Sequence, residues 1–363
     1  MTNYLPDTVF APGETIAEYL EEKDWNQEEF AERMGYTTKH ISQLMTGKAT
    51  ISIDTAQRLE RVLGANTQFW LNLETNFRNN LARIEAKNQC AMWTDWLQQL
   101  PVKELKSAGI LPNETQSKAN KPDFVERCLK FFGVASPEQW QQKYFTMPVA
   151  FRRNQNGDAD MGAIATWLRL GEVQAEAMDD KVKYDKSKFE RALIKIRRLT
   201  TLPPQEFEPQ LKQLCAESGV AFVMVPAIPK AKVSGVARWL NNHKAMIQLS
   251  LYGKTNDKFW FTFFHEAAHI LLHADNKEMV YLDNPQDHTN VEREHEADQW
   301  ASQFIIPDAY TEQLKRVHSK QAIIDFAATL SIHPAMVVGR LQHDGIVPFH
   351  QFNEFKTSFE LRP

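Results

Sequence analysis

Two histidines and a glutamate sit inside one of the most apolar stretches of the chain, FWFTFFHEAAHILLH at 259–273. Read as a helix, this stretch is apolar on nearly every side and must be buried. Buried His and Glu are costly unless something binds them. His265 and His269 are i and i+4, one above the other on a helix, so both imidazoles can reach one metal ion. Glu266 is offset by one residue and lies beside that ion, placed to take a proton from metal-bound water. The same interruption by His and Glu excludes a membrane span here.

Three fixed residues recur by chance, so the discriminating feature is a third ligand on a second helix. EREHEADQWASQFIIP at 292–307 offers one. Glu294 and Asp298 are i and i+4 there, on the face shared with Ala297, Ala301 and Ile305, and small residues on that face allow close helix–helix approach. Glu294 would complete a His2Glu zinc site with an open fourth position, and Asp298 would take an imidazole N–H and fix its tautomer. Glu294 is preferred to Glu296 because it shares a helical face with Asp298. His273 follows His269 by four but lies about 12 Å of rise beyond His265, so it reads as a helix-end or rim residue rather than a third ligand. His288, His295, Tyr252 and Tyr281 could orient a substrate carbonyl, yet each reads more simply as surface.

The surroundings of these helices are α+β. Helices are expected at 186–199 and 205–217, then a buried strand in GVAFVMVP and two more in VSGVARWL and AMIQLSL joined by NNHK. Helices at 257–273 and 291–306 follow, and AIIDFAATL with AMVVGRLQ forms a bent pair that should pack on this core. H-E-x-x-H, then E-x-E-A-D, then a helix ending in I-P resembles the ImmA/IrrE-type metallopeptidases over roughly 186–350. Trp300 departs conservatively from that pattern, where Phe is commoner. The resemblance implies a zincin-like domain, bound Zn2+ and an endopeptidase that cleaves a repressor protein.

The first 88 residues read differently, as short helices near 13–22, 27–34, 38–45, 52–63 and 67–87. NQEEFAERMGYTTKHISQLMTGKATISIDTAQRLERVLG has the spacing of a helix-turn-helix: Ala31 at the crossing, Gly35 in the turn, Ile41 and Leu44 inward. Thr38, Lys39, Ser42 and Gln43 are left on the outer face, with donors and acceptors suited to base edges in a major groove. Gln27 lies at a helix N-terminus that favours a phosphate. Residues 1–87 carry 9 Lys/Arg against 13 Asp/Glu, but 33–61 holds Arg33, Lys39, Lys48, Arg58 and Arg61 against Asp54 and Glu60. Local positive charge on the reading face is therefore modest, and a single domain should bind DNA weakly and salt-sensitively. The segment resembles phage-repressor-class domains and, through PGETIAEYLEEKDWNQEEFAERMG and LGANTQFWLNLETNF, HigA-type antitoxins. That resemblance implies a homodimer on a palindromic operator.

Residues 89–180 show no site chemistry and read as a helical spacer, with helices in FVERCLKFFGV and PEQWQQKYF and a flexible FRRNQNGDADMG. The run 181–199 carries eight basic and two acidic residues, which reads as a solvated stripe opposite Phe189, Leu193 and Ile196. Three cysteines with no C-x-x-C pair argue against a disulfide scaffold and a thiolate zinc site, and the formal net charge of −4 excludes a globally basic coat. The opening MTNYLPDTVFAPGE has neither the basic nor the apolar region of a signal peptide, and a cytoplasmic protein is expected. The chain thus reads as multidomain: an all-α helix-turn-helix domain at 1–88, a helical middle at 89–180 and an α+β metallopeptidase domain at 181–363. Its expected partners are operator DNA and a protein substrate, a repressor or a toxin–antitoxin partner. The alternative is an antitoxin-like repressor whose metal domain senses or docks a ligand without proteolysis. Glu266 favours the enzyme, because a sensor needs no base.

Overall fold

Side-chain caps set four of the first five helix starts, and Pro12 opens the other. In the computed structural model, which describes residues 10–145, 160–178, 182–250, 255–273, 281–283 and 291–359, the first helices are α1 (Pro12–Glu22), α2 (Gln27–Met34), α3 (Thr38–Met45), α4 (Ile53–Leu63) and α5 (Thr67–Met92). Asn26 Oδ1 accepts from Glu29 N at 2.9 Å, and Thr37, Ser52 and Asn66 cap α3, α4 and α5 in the same way. The reciprocal half of the capping box is missing, because Glu29 turns instead to Arg33 at 2.7 Å. Gly35 closes α2 with φ +67°, a left-handed conformation that a Cβ would strain. Ile16, Phe30, Ile41, Ala56, Leu59 and Trp70 are wholly buried between these helices. The fifth helix runs five residues past its expected end, since KNQCAM holds no Gly or Pro to stop it and Cys90 is buried.

Contacts divide the chain into two compact units, residues 1–94 with 116–126 and residues 95–115 with 127–363. The second begins within a 3-10 turn at Thr94–Gln99 and contains α6 (Val102–Ser107), part of α7 (Lys121–Phe132), α8 (Pro137–Phe145) and α9 (Met161–Glu176). The expected flexible stretch FRRNQNGDADMG lies largely outside the described residues, but its last two residues already belong to α9, which Asp160 caps.

Next come α10 (Lys186–Leu199), α11 (Pro204–Ala216), β1 (Val220–Met224), β2 (Gly235–Asn241) and β3 (Lys244–Leu249). After them come α12 (Asn256–Leu272), β4 (Tyr281–Asp283), α13 (Val291–Ile305), α14 (Thr311–Leu314), α15 (Lys320–Leu330) and α16 (Pro334–His343). The sheet order is β1-β3-β2-β4, parallel between β1 and β3 and antiparallel elsewhere. Strand side chains alternate between two buried faces, as the period of a strand requires. Phe222, Ile247 and Leu249 join Phe189, Leu193 and Phe263 in the larger core, whereas Ala221, Val223 and Met246 face Ala175 on α9.

That second face makes α9 a structural layer of the sheet rather than a linker. Gln248 Nε2 donates to Trp167 O at 2.6 Å, and Trp167 Nε1 to Val225 O at 3.3 Å. Arg238 on β2, 5% exposed, pairs with Glu172 of α9 at 2.7 Å. Gly171 allows this approach, since a Cβ there would lie 1.9 Å from Gln248 Oε1. The C-terminal pair α15 and α16 packs into the larger core through Ile323, Phe326, Val337 and Leu341, as expected. Among the described residues no single helix is long and apolar enough to cross a membrane. None of the three cysteines is joined in a disulfide, and all are buried.

Candidate metal centre and nucleic-acid interface

The apolar residues that flank the H-E-x-x-H motif do what their pattern dictates. Trp260, Phe263, Phe264, Ala267 and Ala268 are completely buried, and α12 packs against β2, β3, α13 and α16. This draws the polar groups inward with the helix: His265 is 4% exposed, Glu266 0% and His269 2%. From α13, Ala297 and Ala301 are fully buried, so the small-residue face meets the histidine helix as its spacing implies.

This packing brings Glu294 to the two imidazoles. His265 Nε2 lies 3.0 Å from His269 Nε2 and 3.1 Å from Glu294 Oε2, and His269 Nε2 lies 3.5 Å from Glu294 Oε1. One donor atom from each of the three residues falls within 4.8 Å of the others. A tetrahedral ion with bonds of about 2.0–2.1 Å keeps its ligand atoms about 3.3–3.4 Å apart. The cluster therefore has the dimensions and the donor types of a zinc site, and its residues fit such an ion.

Protonation states agree with that fit. Burial pushes His269 down to about 4, against the opposing pull of the Glu294 hydrogen bond and charge. Glu294 is held below the usual carboxylate range, because hydrogen bonds with His265 and His269, with their charge, outweigh its own burial. A neutral imidazole and an ionised carboxylate are the forms that bind a metal.

Around the cluster, Asp298 Oδ1 lies 2.8 Å from His265 Nδ1, the contact expected of a residue fixing the tautomer. Glu296 stands apart from the three donors. It meets His273 instead, Oε2 to Nε2 at 3.0 Å, and His273 Nδ1 lies 3.0 Å from His269 Nδ1. His273 does end the helix, but at 4% exposure it is no rim residue. Glu266 is pressed against β2, where a Cβ on Gly235 would come within 2.6 Å of Glu266 Oε1. Sequence reasoning missed Gly235, although a glycine opening a strand ahead of the motif was a readable sign of close approach. His295 is exposed, Tyr252 and His288 lie outside the described residues, and so does the side chain of Tyr281.

In the first unit α3 shows the opposite arrangement. Ile41 and Leu44 are buried, while Thr38, Lys39, Ser42 and Gln43 are exposed together. Gln27 is exposed at the first turn of α2, and Lys48 is exposed in the turn after α3. Two of the five cations counted in 33–61 are engaged internally. Arg33 bonds Glu29 and lies 4.1 Å over the Trp25 ring, and Arg58 bonds Asp54 and Met34 O. The face offered to a phosphate backbone is thus less basic than the sequence count suggests. Arg78, which no motif marks, donates from α5 to Gly47 O at 2.8 Å and Ala49 O at 3.3 Å and pairs with Glu74. It holds the turn that follows α3.

Family comparisons match both halves of this description. Residues 16–70 match the helix-turn-helix family, and residues 223–341 match a peptidase family described as the IrrE N-terminal-like domain. An HTH-type transcriptional regulator of Escherichia coli (strain K12), YddM, is 40% identical over 63 residues, which cover 17% of this chain and 67% of that protein. A crystal structure from Nostoc punctiforme, described as a candidate antidote protein of a plasmid maintenance system, is 35% identical over 22% of this chain and 86% of its own, with a TM-score of 0.21. The chain belongs to the HTH-type transcriptional regulators, with a DNA-binding helix-turn-helix domain fused to an IrrE N-terminal-like domain of the metallopeptidase type.

Proposed function

We propose that this regulator is a zinc-dependent endopeptidase that cuts a repressor or another protein partner, and that it binds its operator as a homodimer in the cytoplasm. The observation that carries the peptidase reading is the mutual approach of His265, His269 and Glu294 within 4.8 Å, beside the buried Glu266. These three residues would hold Zn2+, which when bound supplies Lewis acidity and a water acidified to a pKa of about 7. Glu266 is the proton carrier: its carboxylate takes the proton from the attacking water and passes it to the leaving amine. Gly235 leaves the space in which that carboxylate sits, and Asp298 keeps the Nε2 lone pair of His265 turned to the cluster. On the DNA side, Thr38, Lys39, Ser42 and Gln43 face base edges, while Gln27 and Lys48 contact phosphates.

The decisive experiment uses Glu266→Gln, which keeps size and hydrogen bonding but cannot accept the proton. Tagged wild-type protein and variant are expressed in cells, and co-purifying proteins are identified. The variant should retain an intact partner that wild type leaves as two fragments, with cleavage lowered by at least ~100-fold. Equal fragmentation with both proteins, or none with either, would refute the peptidase reading.

A further inference from the structure

Both histidines of the cluster must present Nε2 to an ion, so both must carry their proton on Nδ1. The structure supplies each Nδ1–H with an acceptor, but by different routes. His265 Nδ1 has a carboxylate directly, Asp298 at 2.8 Å. For His269 the atom facing Nδ1 is another imidazole nitrogen, His273 Nδ1 at 3.0 Å. Two nitrogens at that distance share a single proton, so His273 Nδ1 accepts only if its own proton sits on Nε2. There it meets Glu296 Oε2 at 3.0 Å. One assignment satisfies the whole array: Glu296 accepts from His273 Nε2–H, and His273 Nδ1 accepts from His269 Nδ1–H. His269 Nε2 is then left with its lone pair toward the cluster.

We infer that His273 and Glu296 are positioning residues for His269, an imidazole–carboxylate relay that does for the second ligand what Asp298 does alone for the first. This inference rests on the metal reading of His265, His269 and Glu294. The helix explains the longer route. One turn beyond His269, the i+4 position places a side chain behind that imidazole. Glu294 meets His269 on its Nε2 side and Asp298 is already opposite His265, so α13 reaches the Nδ1 side of the second ligand through Glu296 and the interposed ring. His273 is 4% exposed, and a buried imidazole with both nitrogens engaged is held in one orientation.

Zinc affinity of the full-length protein, measured by competition with a chromophoric chelator, tests the relay without reference to activity. His273→Ala should weaken zinc binding by ~10–100-fold, as loss of a partner behind a metal ligand does. His273→Asn, whose amide oxygen can accept from His269 Nδ1–H, should recover affinity to within about fivefold of wild type. Glu296, with a side chain 63% exposed, can be removed without loss of packing. Glu296→Ala should weaken zinc binding in the wild-type background by about 3–10-fold but have no effect when added to His273→Asn, because the relay is already cut. Zinc affinity of Glu296→Ala within twofold of wild type would overturn the inference, and so would a His273→Asn variant as weak as His273→Ala. Wild-type protein that binds no zinc would fail the metal reading itself and the relay with it.

Discussion

The two helices that carry this protein's chemistry, α3 and α12, solve opposite problems. The former buries Ile41 and Leu44 and leaves four polar side chains in water, ready for a partner from outside. The latter buries His265, Glu266 and His269, with His273 at its C-terminal cap, and must satisfy them from within. An exposed polar group can be exchanged at little cost to the fold, because water replaces whatever it loses. A buried one is coupled to every neighbour that satisfies it. Substitutions on α3 should therefore change affinity alone, whereas those on α12 and its contacts should change affinity, stability and chemistry together.

The strongest way to break this contrast is His265→Ala with His269→Ala, which should take zinc from about one ion per chain to none by elemental analysis. Equal metal in both proteins would show that the cluster is not a binding site. Next in size is Gly235→Ala. Its methyl group would press on the Glu266 carboxylate, and overpacking of this kind costs about 1–3 kcal/mol. Chemical denaturation should show that loss, together with weaker proteolysis and unchanged DNA binding. On α3, Gln43→Ala or Lys39→Ala should weaken binding to the protein's own promoter DNA by about 1–3 kcal/mol per base contact. The melting temperature should not move, and a fall in both would erase the distinction drawn here.

The smallest effect concerns His333, the N-cap of α16. Its Nδ1 accepts from Ala335 N at 3.1 Å, and burial lowers its pKa from the ordinary 6.5. Below pH 6.5 the unfolded chain therefore binds more protons at this residue than the folded one, so stability is present above that pH and is lost as pH falls. His333→Asn keeps a capping acceptor that does not titrate and should flatten this part of a stability–pH profile. An unchanged slope would show that the cap does not titrate.

Legibility followed the same division between local and distant causes. Helix α12 and the strands before it were readable to within about two residues, because caps, turns and apolar periodicity are local signals. The i, i+4 rule was enough to single out Glu294 and Asp298. It was not enough for His273, where the argument that one helix cannot bring three histidines to one ion left its actual place behind His269 unconsidered. Helix α9 was hidden for a different reason. MGAIATWLRL is apolar on nearly all sides and so shows no helical period, and Glu172, which follows it in α9, is answered by Arg238, 66 positions away in the chain. Separations of 31 positions likewise hid Gly235 from Glu266 and Arg78 from Gly47 in the turn after α3.

Arg78 has a practical consequence. The helix-turn-helix match ends at residue 70, yet the guanidinium that steadies residues 47–49 comes from one turn beyond Glu74. A fragment cut where the motif ends would keep the exposed Thr38, Lys39, Ser42 and Gln43 and lose the stay that braces the turn after them. Such a piece would still carry its charge to any duplex, but the reading helix would swing about the turn at Gly47. Misaim of that kind weakens the preferred sequence more than the others, so the loss would be one of discrimination before it was one of affinity. A fragment meant to keep the helix-turn-helix geometry should therefore extend beyond Arg78, past the end of the matched motif.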